Sequence, residues 1–236
     1  MIFKRKWCII ATRKERIKIK LINFFKKKPY TLLTFYWLFQ IIWYSLLVRF
    51  PGFADGYIMV EFNSVDAMIP FCEWFILPYV LWYPFILFTN VLLAKNGTKK
   101  EYMYLAIMTI AGMLVCLITN TICPTEIARD PNLLENLGRS NILTKLTAFI
   151  YACDDPPRVV FPSMHVYGSV VLAAALIRSR NVKGYVKISG TVLAVLICLS
   201  TVFVKQHSII DLVAAVILFA ILHTVYIIVE KIKGAR

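Results

Sequence analysis

The sequence predicts an all-α polytopic membrane protein, a six-transmembrane-helix bundle with an N-terminal amphipathic helix. Of its 236 residues, 59% are hydrophobic, whereas a soluble domain is usually about 45–50% apolar. Several apolar runs reach the roughly 20 residues that a helix needs to cross a bilayer. Lysines and arginines stand before and between these runs, which is typical of membrane topology.

The net charge of +14 does not indicate a nucleic-acid partner, because this placement of the basic residues is explained by topology. The expected partners are the lipid bilayer and a membrane lipid substrate, with no nucleic acid; the oligomeric state stays open. The six cysteines lack a metal-ligand spacing such as C-x-x-C, so a zinc site is not expected. We expect no metal and no cofactor. A disulfide between Cys123 and Cys153 also stays open, because nothing in the sequence fixes their distance.

Residues 1–28 combine many lysines and arginines with interleaved apolar residues such as Phe24 and Phe25. This pattern favours an amphipathic helix on the cytoplasmic leaflet over a disordered basic arm. The basic part is too long for a cleavable signal peptide, and no small-residue cleavage site follows it. The chain therefore divides into a basic cytoplasmic or interfacial segment (1–29), a six-span membrane domain (30–231) and a cytoplasmic tail (232–236).

The six predicted spans cover residues 30–50, 72–94, 102–123, 163–177, 188–204 and 208–229. Pro78 and Pro84 are expected to kink the second span, which membrane helices tolerate. Basic residues dominate the connections after the second and fourth spans, whereas the connection 51–71 is acidic. By the positive-inside rule, both termini are cytoplasmic. The long polar connection 124–161 then lies outside, and its length favours a functional role.

This topology places the starts of the fourth and sixth spans at the extracellular face, in what we expect to be a bacterial plasma membrane. Two of the three histidines, His165 and His207, lie there. His207 and Asp211 are four residues apart and share one face of a helix. A carboxylate in that position holds one imidazole nitrogen and leaves the other free as a nucleophile. The two helix starts also offer unpaired N–H groups, which suit a phosphate.

Two motifs carry a family resemblance. Pro162-Ser163-Met164-His165 resembles the Pro-Ser-Gly-His motif of the type 2 phosphatidic acid phosphatase and haloperoxidase superfamily. Ser200-Thr201, His207 and Asp211 have the spacing of that superfamily's motif Ser-Arg-x5-His-x3-Asp. The Lys-Gln-His-x3-Asp ending, with Met164 in place of glycine, is most similar to the inositol-phosphorylceramide-synthase-like branch. The resemblance covers about residues 30–229 and implies the six-span fold.

The resemblance implies catalytic roles for three residues. His207 would attack phosphorus and form a phosphohistidine, which Asp211 would orient and stabilise. His165 would protonate the leaving oxygen and then activate the water or alcohol that resolves the intermediate. Ser163 would donate a hydrogen bond to a phosphate oxygen. Members of the family work without a metal, so cations and N–H groups must hold the phosphate charge.

The sequence departs from the family pattern where phosphate is bound. Ser200 and Thr201 occupy motif positions, but Thr201 replaces the arginine, which removes a bidentate phosphate clamp. Lys205 is a candidate replacement for that charge. Arg129 is the nearest match to the arginine of the first motif, Lys-x6-Arg-Pro, although the position seven before it is Ile122 rather than lysine. We therefore expect Arg129, Lys205, Ser200 and Thr201 to bind substrate together with Ser163.

Three other titratable residues invite a functional interpretation that the sequence does not favour. Adjacent Asp154 and Asp155 suggest a metal pair, but neighbouring carboxylates usually point apart and a stiff Pro-Pro follows them, so we favour a structural role. His223 lies deep in the sixth span, where a packed histidine of the helix bundle is expected.

The function that the sequence predicts is a metal-independent lipid phosphate phosphatase at the outer membrane face. Its substrate would be a lipid phosphate or diphosphate of the phosphatidic acid or isoprenyl diphosphate type. One alternative is a lipid phosphotransferase of the inositol-phosphorylceramide-synthase type, which differs only in what resolves the phosphohistidine. A second alternative is a non-catalytic lipid-binding or transport protein that keeps the same scaffold.

Overall fold

The structure is a computed structural model that describes residues 18, 20–50, 56–61 and 63–234. Most of the predicted N-terminal amphipathic helix therefore lies outside the described residues. Residues 20–27 are helical, with Phe24 and Phe25 half-buried and the other side chains of this run exposed.

The α-helices that follow are numbered here in chain order: α1 (Tyr36–Arg49), α2 (Asn63–Asp66), α3 (Ile76–Val80), α4 (Trp82–Asn96), α5 (Lys99–Ile122), α6 (Leu133–Asn136), α7 (Ile142–Cys153), α8 (Met164–Arg178), α9 (Gly184–Phe203) and α10 (Ile209–Gly234). Short 3₁₀ helices precede α1 (Pro29–Phe35) and α3 (Glu73–Phe75). Two short strands, β1 (Ile58–Met59) and β2 (Thr125–Glu126), pair in parallel.

In the part of the chain that the structure describes, five helical stretches are long and apolar enough to cross a membrane: Pro29–Arg49, Glu73–Asn96, Lys99–Ile122, Gly184–Phe203 and Ile209–Gly234. They confirm the predicted all-α polytopic membrane class. The predicted fourth span is the exception, because α8 has only 15 residues. At about 1.5 Å per residue it is roughly 22 Å long, shorter than the hydrocarbon core of about 30 Å. The described residues thus hold five helical stretches of spanning length, and the shorter apolar helix α8 lies at the position of the predicted fourth span, 163–177.

Helix α8 lies inside the bundle. It contacts α4, α5, α9 and α10, so it is enclosed by other helices rather than by lipid. Gly112 of α5 lets Tyr167 of α8 approach closely, since a Cβ at Gly112 would lie 1.8 Å from the tyrosine Cζ. The hydroxyl of Tyr167 donates to the carbonyl of Met108 at 2.6 Å. A small residue at such a helix crossing is typical of membrane bundles.

Hydrogen bonds show which connecting segments lie at the same end of the bundle. At one end, which we call the basic end, Lys28 Nζ donates to the Ala94 carbonyl at 2.7 Å and Asn181 donates to the Asn96 carbonyl at 2.8 Å. At the opposite end, the motif end, the Cys72 amide donates to the Phe203 carbonyl at 3.0 Å. The starts of α8 and α10 both lie at the motif end, as the alternation of spans predicts.

Helical breaks in the second span and short structured elements in the connection 124–161 position the residues of the site. Helix α3 ends at Val80 and α4 begins at Trp82, two residues before Pro84, which has no N–H to continue the ladder. The connection 124–161 is not a simple polar loop, because it holds β2, α6 and the apolar helix α7. Helix α7 packs its buried Leu143 against Ile76 and Tyr79 of α3.

The described cysteines, Cys123 and Cys153 among them, are free thiols. No disulfide joins these two residues in the structure, and the connection 124–161 is held at the motif end by packing and hydrogen bonds instead.

Candidate active site

The centre of the site is the pair formed by His207 and Asp211. His207 Nδ1 lies 3.0 Å from Asp211 Oδ2, and the same oxygen accepts the Ser208 amide at 3.0 Å. The carboxylate is fully buried and the imidazole is 8% exposed. An ionised carboxylate accepts hydrogen bonds only, so it selects the tautomer with the proton on Nδ1. Nε2 of His207 is then free to act as a nucleophile.

A tight turn after α9 orients His207. The backbone amides of Gln206 and His207 both donate to the Thr201 carbonyl at 3.0 Å. Lys205 adopts a left-handed conformation, with φ +52°, which reverses the chain between α9 and α10. Thr201 therefore fixes the nucleophile through its backbone.

His165 faces His207 from the start of α8, with 6.0 Å between the ring centroids. Its imidazole stacks on Tyr79 at 4.5 Å and contacts the Trp82 ring at 4.1 Å. Its Nε2 is buried without a hydrogen-bond partner. An unpartnered buried nitrogen between two aromatic side chains is available to a ligand that enters beside His207.

Ser163 joins the two motif segments. Its hydroxyl oxygen accepts the Val166 amide at 3.4 Å as the N-cap of α8, and its own amide donates to the Asp211 carbonyl at 3.3 Å. The segment that leads to it is held from the other side by Asn120, whose amide donates to the Phe161 carbonyl at 2.6 Å. The structure thus brings Ser163, His165, His207 and Asp211 together, while their chemical roles stay predictions.

Ser200, Thr201 and Lys205 are not arranged as phosphate ligands. The hydroxyls of Ser200 and Thr201 are buried and donate to the Ile197 and Cys198 carbonyls, at 2.6 and 2.8 Å. Both donors are used inside α9, as is common for hydroxyl side chains in helices. The expectation that these two side chains bind substrate finds no support in this geometry.

Lys205 does not line the cavity beside the histidines. Its Nζ donates to the Asp66 carbonyl at 2.8 Å and to the Ile69 carbonyl at 2.5 Å. Burial lowers the pKa of Lys205, and the charge of Asp66 opposes that shift. The expected compensation of Thr201 by Lys205 is therefore not what the structure shows, because carbonyl groups of the 66–69 segment already hold the ammonium group.

Arg129 lies near the site but outside the cavity. Its side chain is 8% exposed, lies 3.7 Å from the Asp155 carboxylate and stacks over the Tyr151 ring at 4.1 Å. One of its terminal nitrogens, Nη1, is buried without a partner. Its charge also acts on Asp154, so it lies within electrostatic reach of the site. Arg129 can stabilise negative charge there, but it does not line the cavity beside the histidines.

An elongated cavity of about 450 Å³ opens beside the two histidines. Its motif end is lined by His165, His207, Gln206, Asp154 and Arg158. From there it follows α1 and α4 toward the basic end.

The body of the cavity lies between α1 and α4 and has mainly apolar side chains. Trp37, Leu38 and Ile41 line it from α1, and Ile86 and Leu87 line it from α4. A hydrogen bond of 2.9 Å between Thr34 and Asn90 marks the far end. From Trp82 to Asn90 the helix rises about 12 Å, which sets the scale of this apolar groove.

The sequence analysis did not predict Gln206, Asp154 or Arg158 as site residues, although all three line the motif end of the cavity. Gln206 stands within the quoted Lys-Gln-His motif, but its direction depends on the left-handed turn at Lys205. Asp154 lines the cavity, whereas its neighbour Asp155 is 72% exposed, so the two carboxylates point apart as expected. Tyr44 of α1 donates a hydrogen bond to Asp154.

Burial raises the pKa of Asp154 above its usual range. The hydrogen bond from Tyr44 and the charges of His207 and Arg129 act in the opposite direction. A raised pKa favours the neutral form of Asp154, which limits the negative charge at the end of the cavity where a phosphate would bind.

The two helix starts are less open than the sequence suggested. Asp66 caps α10, because Oδ1 accepts the Ile209 amide at 2.9 Å and Oδ2 accepts the Ser208 hydroxyl. Ser163 caps α8. Their first N–H groups are partly satisfied within the protein, so side chains must supply much of any phosphate binding.

Outside this site, His223 lies half-buried in α10, and its Nδ1 is 2.8 Å from the Tyr104 hydroxyl. It is packed within the bundle, as the sequence analysis favoured. Within the described ranges, no group of three or more histidine, cysteine or carboxylate side chains is placed to hold a metal ion.

A comparison with protein-family models decides the family. The model of the PAP2 superfamily, the type 2 phosphatidic acid phosphatases, matches residues 62–225, which is more than half of the chain. The chain belongs to the PAP2 superfamily. No curated protein and no solved structure matches it. The match includes both histidine motifs and supports a lipid enzyme of the phosphatase or phosphotransferase type. It does not assign a branch of the PAP2 superfamily, so the inositol-phosphorylceramide-synthase-like branch stays a prediction.

Proposed function

We propose that this PAP2-superfamily protein is an integral membrane lipid phosphate phosphatase that works without a metal through a phosphohistidine. One observation carries the proposal. The Asp211-bound His207 faces His165 at the motif end of a cavity whose remaining walls are mainly apolar. A nucleophile, an acid–base partner and an apolar groove are the three parts that hydrolysis of a lipid phosphate requires.

In the first step, Nε2 of His207 attacks phosphorus while the bond from phosphorus to the lipid oxygen breaks. Protonated His165 gives its proton to that oxygen, and the lipid alcohol leaves. The phosphohistidine carries a positive ring, which the Asp211 carboxylate stabilises from the Nδ1 side. The ring centroids lie 6.0 Å apart, which supports the proposal that both imidazoles act on the same phosphoryl group.

In the second step, neutral His165 removes a proton from a water molecule as the water oxygen attacks phosphorus. The bond from phosphorus to Nε2 breaks, and its electron pair returns to His207. Phosphate is released with His165 protonated again, so the cycle needs no other reactant.

The substrate class follows from the groove between α1 and α4. A single hydrocarbon chain would lie along Trp37, Ile41 and Ile86, with its phosphate or diphosphate at the histidines. Lipids of the phosphatidic acid or isoprenyl diphosphate type meet this description.

The basic end of the bundle, which carries Lys95, Arg178 and Lys183, would face the cytoplasm by the positive-inside rule. The motif end, and with it the proposed reaction, would then lie at the outer face of the membrane.

The proposal is tested by phosphate release from detergent-purified protein with a panel of lipid phosphates and a chelator present. The His207→Ala protein should lose release entirely, whereas the His223→Ala protein should keep it, because His223 is hydrogen-bonded to Tyr104 outside the cavity. Release that survives in His207→Ala would overturn the assignment of the nucleophile. A wild-type protein that binds lipid phosphates without cleaving them would favour the non-catalytic alternative.

A lipid phosphotransferase is the second candidate, favoured by Asp154. Its buried carboxylate lines the cavity at the motif end and is suited to accept the hydroxyl of an alcohol that replaces water. Adding a lipid alcohol to the assay separates the two reactions. A phosphorylated or headgroup-bearing product that contains the added alcohol identifies transfer, and free phosphate alone identifies hydrolysis.

A further inference from the structure

Gln206 is a buried polar side chain whose role the family motifs do not explain. It is 2% exposed and lines the cavity next to His207. Both Nε2 and Oε1 of its amide lack a hydrogen-bond partner. Buried amides are nearly always hydrogen-bonded in folded proteins, and an exception beside a reactive group indicates a ligand that supplies the missing partners.

The turn that carries Gln206 is fixed from two sides, so the position of the amide is built into the fold. Its backbone N–H donates to the Thr201 carbonyl at 3.0 Å. The neighbouring Lys205 anchors the same turn to the carbonyls of Asp66 and Ile69. With the left-handed backbone at Lys205, the lysine side chain contacts the 66–69 segment and Gln206 lines the cavity.

The neighbouring polar side chains at residues 200–205 of the Ser-Arg-x5-His-x3-Asp motif do not supply a donor to the cavity. The hydroxyls of Ser200 and Thr201 donate to carbonyls of their own helix, and the Lys205 ammonium group donates to the 66–69 segment. Among these motif positions Gln206 therefore offers the donor that faces the cavity. A primary amide presents two N–H donors to an oxyanion, and hydrogen bonds to a charged oxygen are stronger than those between neutral groups.

We propose that Gln206 binds a non-bridging phosphate oxygen through Nε2 and thereby takes over the place of the arginine that Thr201 replaces. Its Oε1 is left to accept the O–H of the water or alcohol that attacks the phosphohistidine. This proposal rests on the proposed function, and it names an uncharged ligand for the phosphate. A neutral amide orients the oxyanion without adding positive charge, so the charge must come from the histidines and Arg158, which line the cavity, and from the nearby Arg129.

The test compares Gln206→Leu with the wild type in two measurements, orthovanadate affinity and thermal unfolding. Vanadate serves as the probe because it is an oxyanion of phosphate shape. Leucine has a similar size and no polar atoms, so it removes the unpartnered amide without leaving a cavity. Vanadate affinity should fall about tenfold to a hundredfold, as expected for losing a hydrogen bond to a charged group. The unfolding temperature should stay equal or rise, because an unsatisfied buried amide has been removed.

A purely structural role for Gln206 gives the opposite result. In that case Gln206→Leu would lower the unfolding temperature and leave vanadate affinity unchanged, which would overturn the proposal. Asn181→Leu serves as the control, because its amide donates to the Asn96 carbonyl at the basic end. It should leave vanadate affinity unchanged.

Two further outcomes separate this proposal from the proposed function. If the wild type releases phosphate but binds no vanadate, the proposal for Gln206 fails and the proposed function stands. If His207→Ala still releases phosphate while Gln206→Leu loses vanadate affinity, the nucleophile assignment fails and the role of Gln206 stands.

Discussion

One oxygen of Asp211 accepts two hydrogen bonds, from Nδ1 of His207 and from the Ser208 amide, both at 3.0 Å. The carboxylate is thus fixed by the backbone that carries the histidine. Because Asp211 is fully buried, its charge is little screened where the ring becomes positive. The pair orients the nucleophile and stabilises the intermediate with one interaction.

Asp211→Asn should therefore lower kcat for phosphate release by about 100- to 1,000-fold. The asparagine keeps the size of the side chain but removes the negative charge that stabilises the phosphohistidine. Steady-state kinetics checks the prediction, with thermal unfolding to show that the variant is folded. A kcat within about threefold of the wild type would show that the Asp211 charge is not used.

Asp154 predicts a pH dependence of stability. Burial raises its pKa in the folded protein above the unfolded value, so the folded state binds more protons between the two pKa values. The stability contributed by the protonated form is present below the unfolded pKa and is lost as pH rises through the folded pKa. Asp154→Asn removes this dependence. The unfolding temperature of the variant should exceed that of the wild type increasingly as pH rises from the unfolded pKa of about 4 through the folded pKa, and by a constant amount above it.

Asp155→Asn is the matched control for this experiment, because its side chain is 72% exposed. Its unfolding temperature should follow the wild type over the same pH range. Equal pH profiles for wild type and Asp154→Asn would contradict the predicted cost of ionising Asp154.

Gly112→Ala should destabilise the bundle by about 1–3 kcal/mol, because the added methyl group would overlap the Tyr167 ring. The measurement is denaturation in detergent micelles. Gly184→Ala is the control, since a Cβ there meets no atom within 4 Å. Equal stability of the two variants would show that the crossing of α5 and α8 tolerates the extra volume.

Ile86→Trp should shift the substrate preference toward shorter lipid chains. The larger ring fills the groove between α1 and α4, whereas the phosphate end at the histidines is unchanged. The check is kcat/KM for a series of lipid phosphates that differ only in chain length. Ile107→Trp is the control, because Ile107 is 42% exposed on α5 and does not line the cavity. A parallel loss for all chain lengths would contradict binding of the chain in this groove.

The parts of the site that the sequence predicted correctly depend on regular features. The four-residue spacing of His207 and Asp211 puts both on one helical face, and the alternation of spans brings His165 to the same end of the bundle. Both relationships follow from helix geometry and membrane topology, so they need no knowledge of packing.

The parts that it missed depend on single backbone conformations and on packing. The left-handed turn at Lys205 directs that lysine to carbonyl groups and places Gln206 in the cavity, which spacing alone does not determine. Helix α7 lies in a stretch flanked by polar residues, and its 12 residues are too few to read as a span. Because α7 was not predicted, the position of Asp154 beside the histidines could not be predicted either.

The measurement that tests the central claim most directly is trapping of the phosphoenzyme. Purified protein would be mixed with a lipid phosphate labelled in its phosphoryl group and quenched within the first turnovers. The account predicts a protein-bound phosphoryl group that is stable in alkali, labile in acid and mapped to His207, and that is missing in His207→Ala. Two results would contradict the account. One is a label on another residue. The other is turnover by the wild type without a trapped phosphoenzyme, together with turnover by His207→Ala at a similar rate.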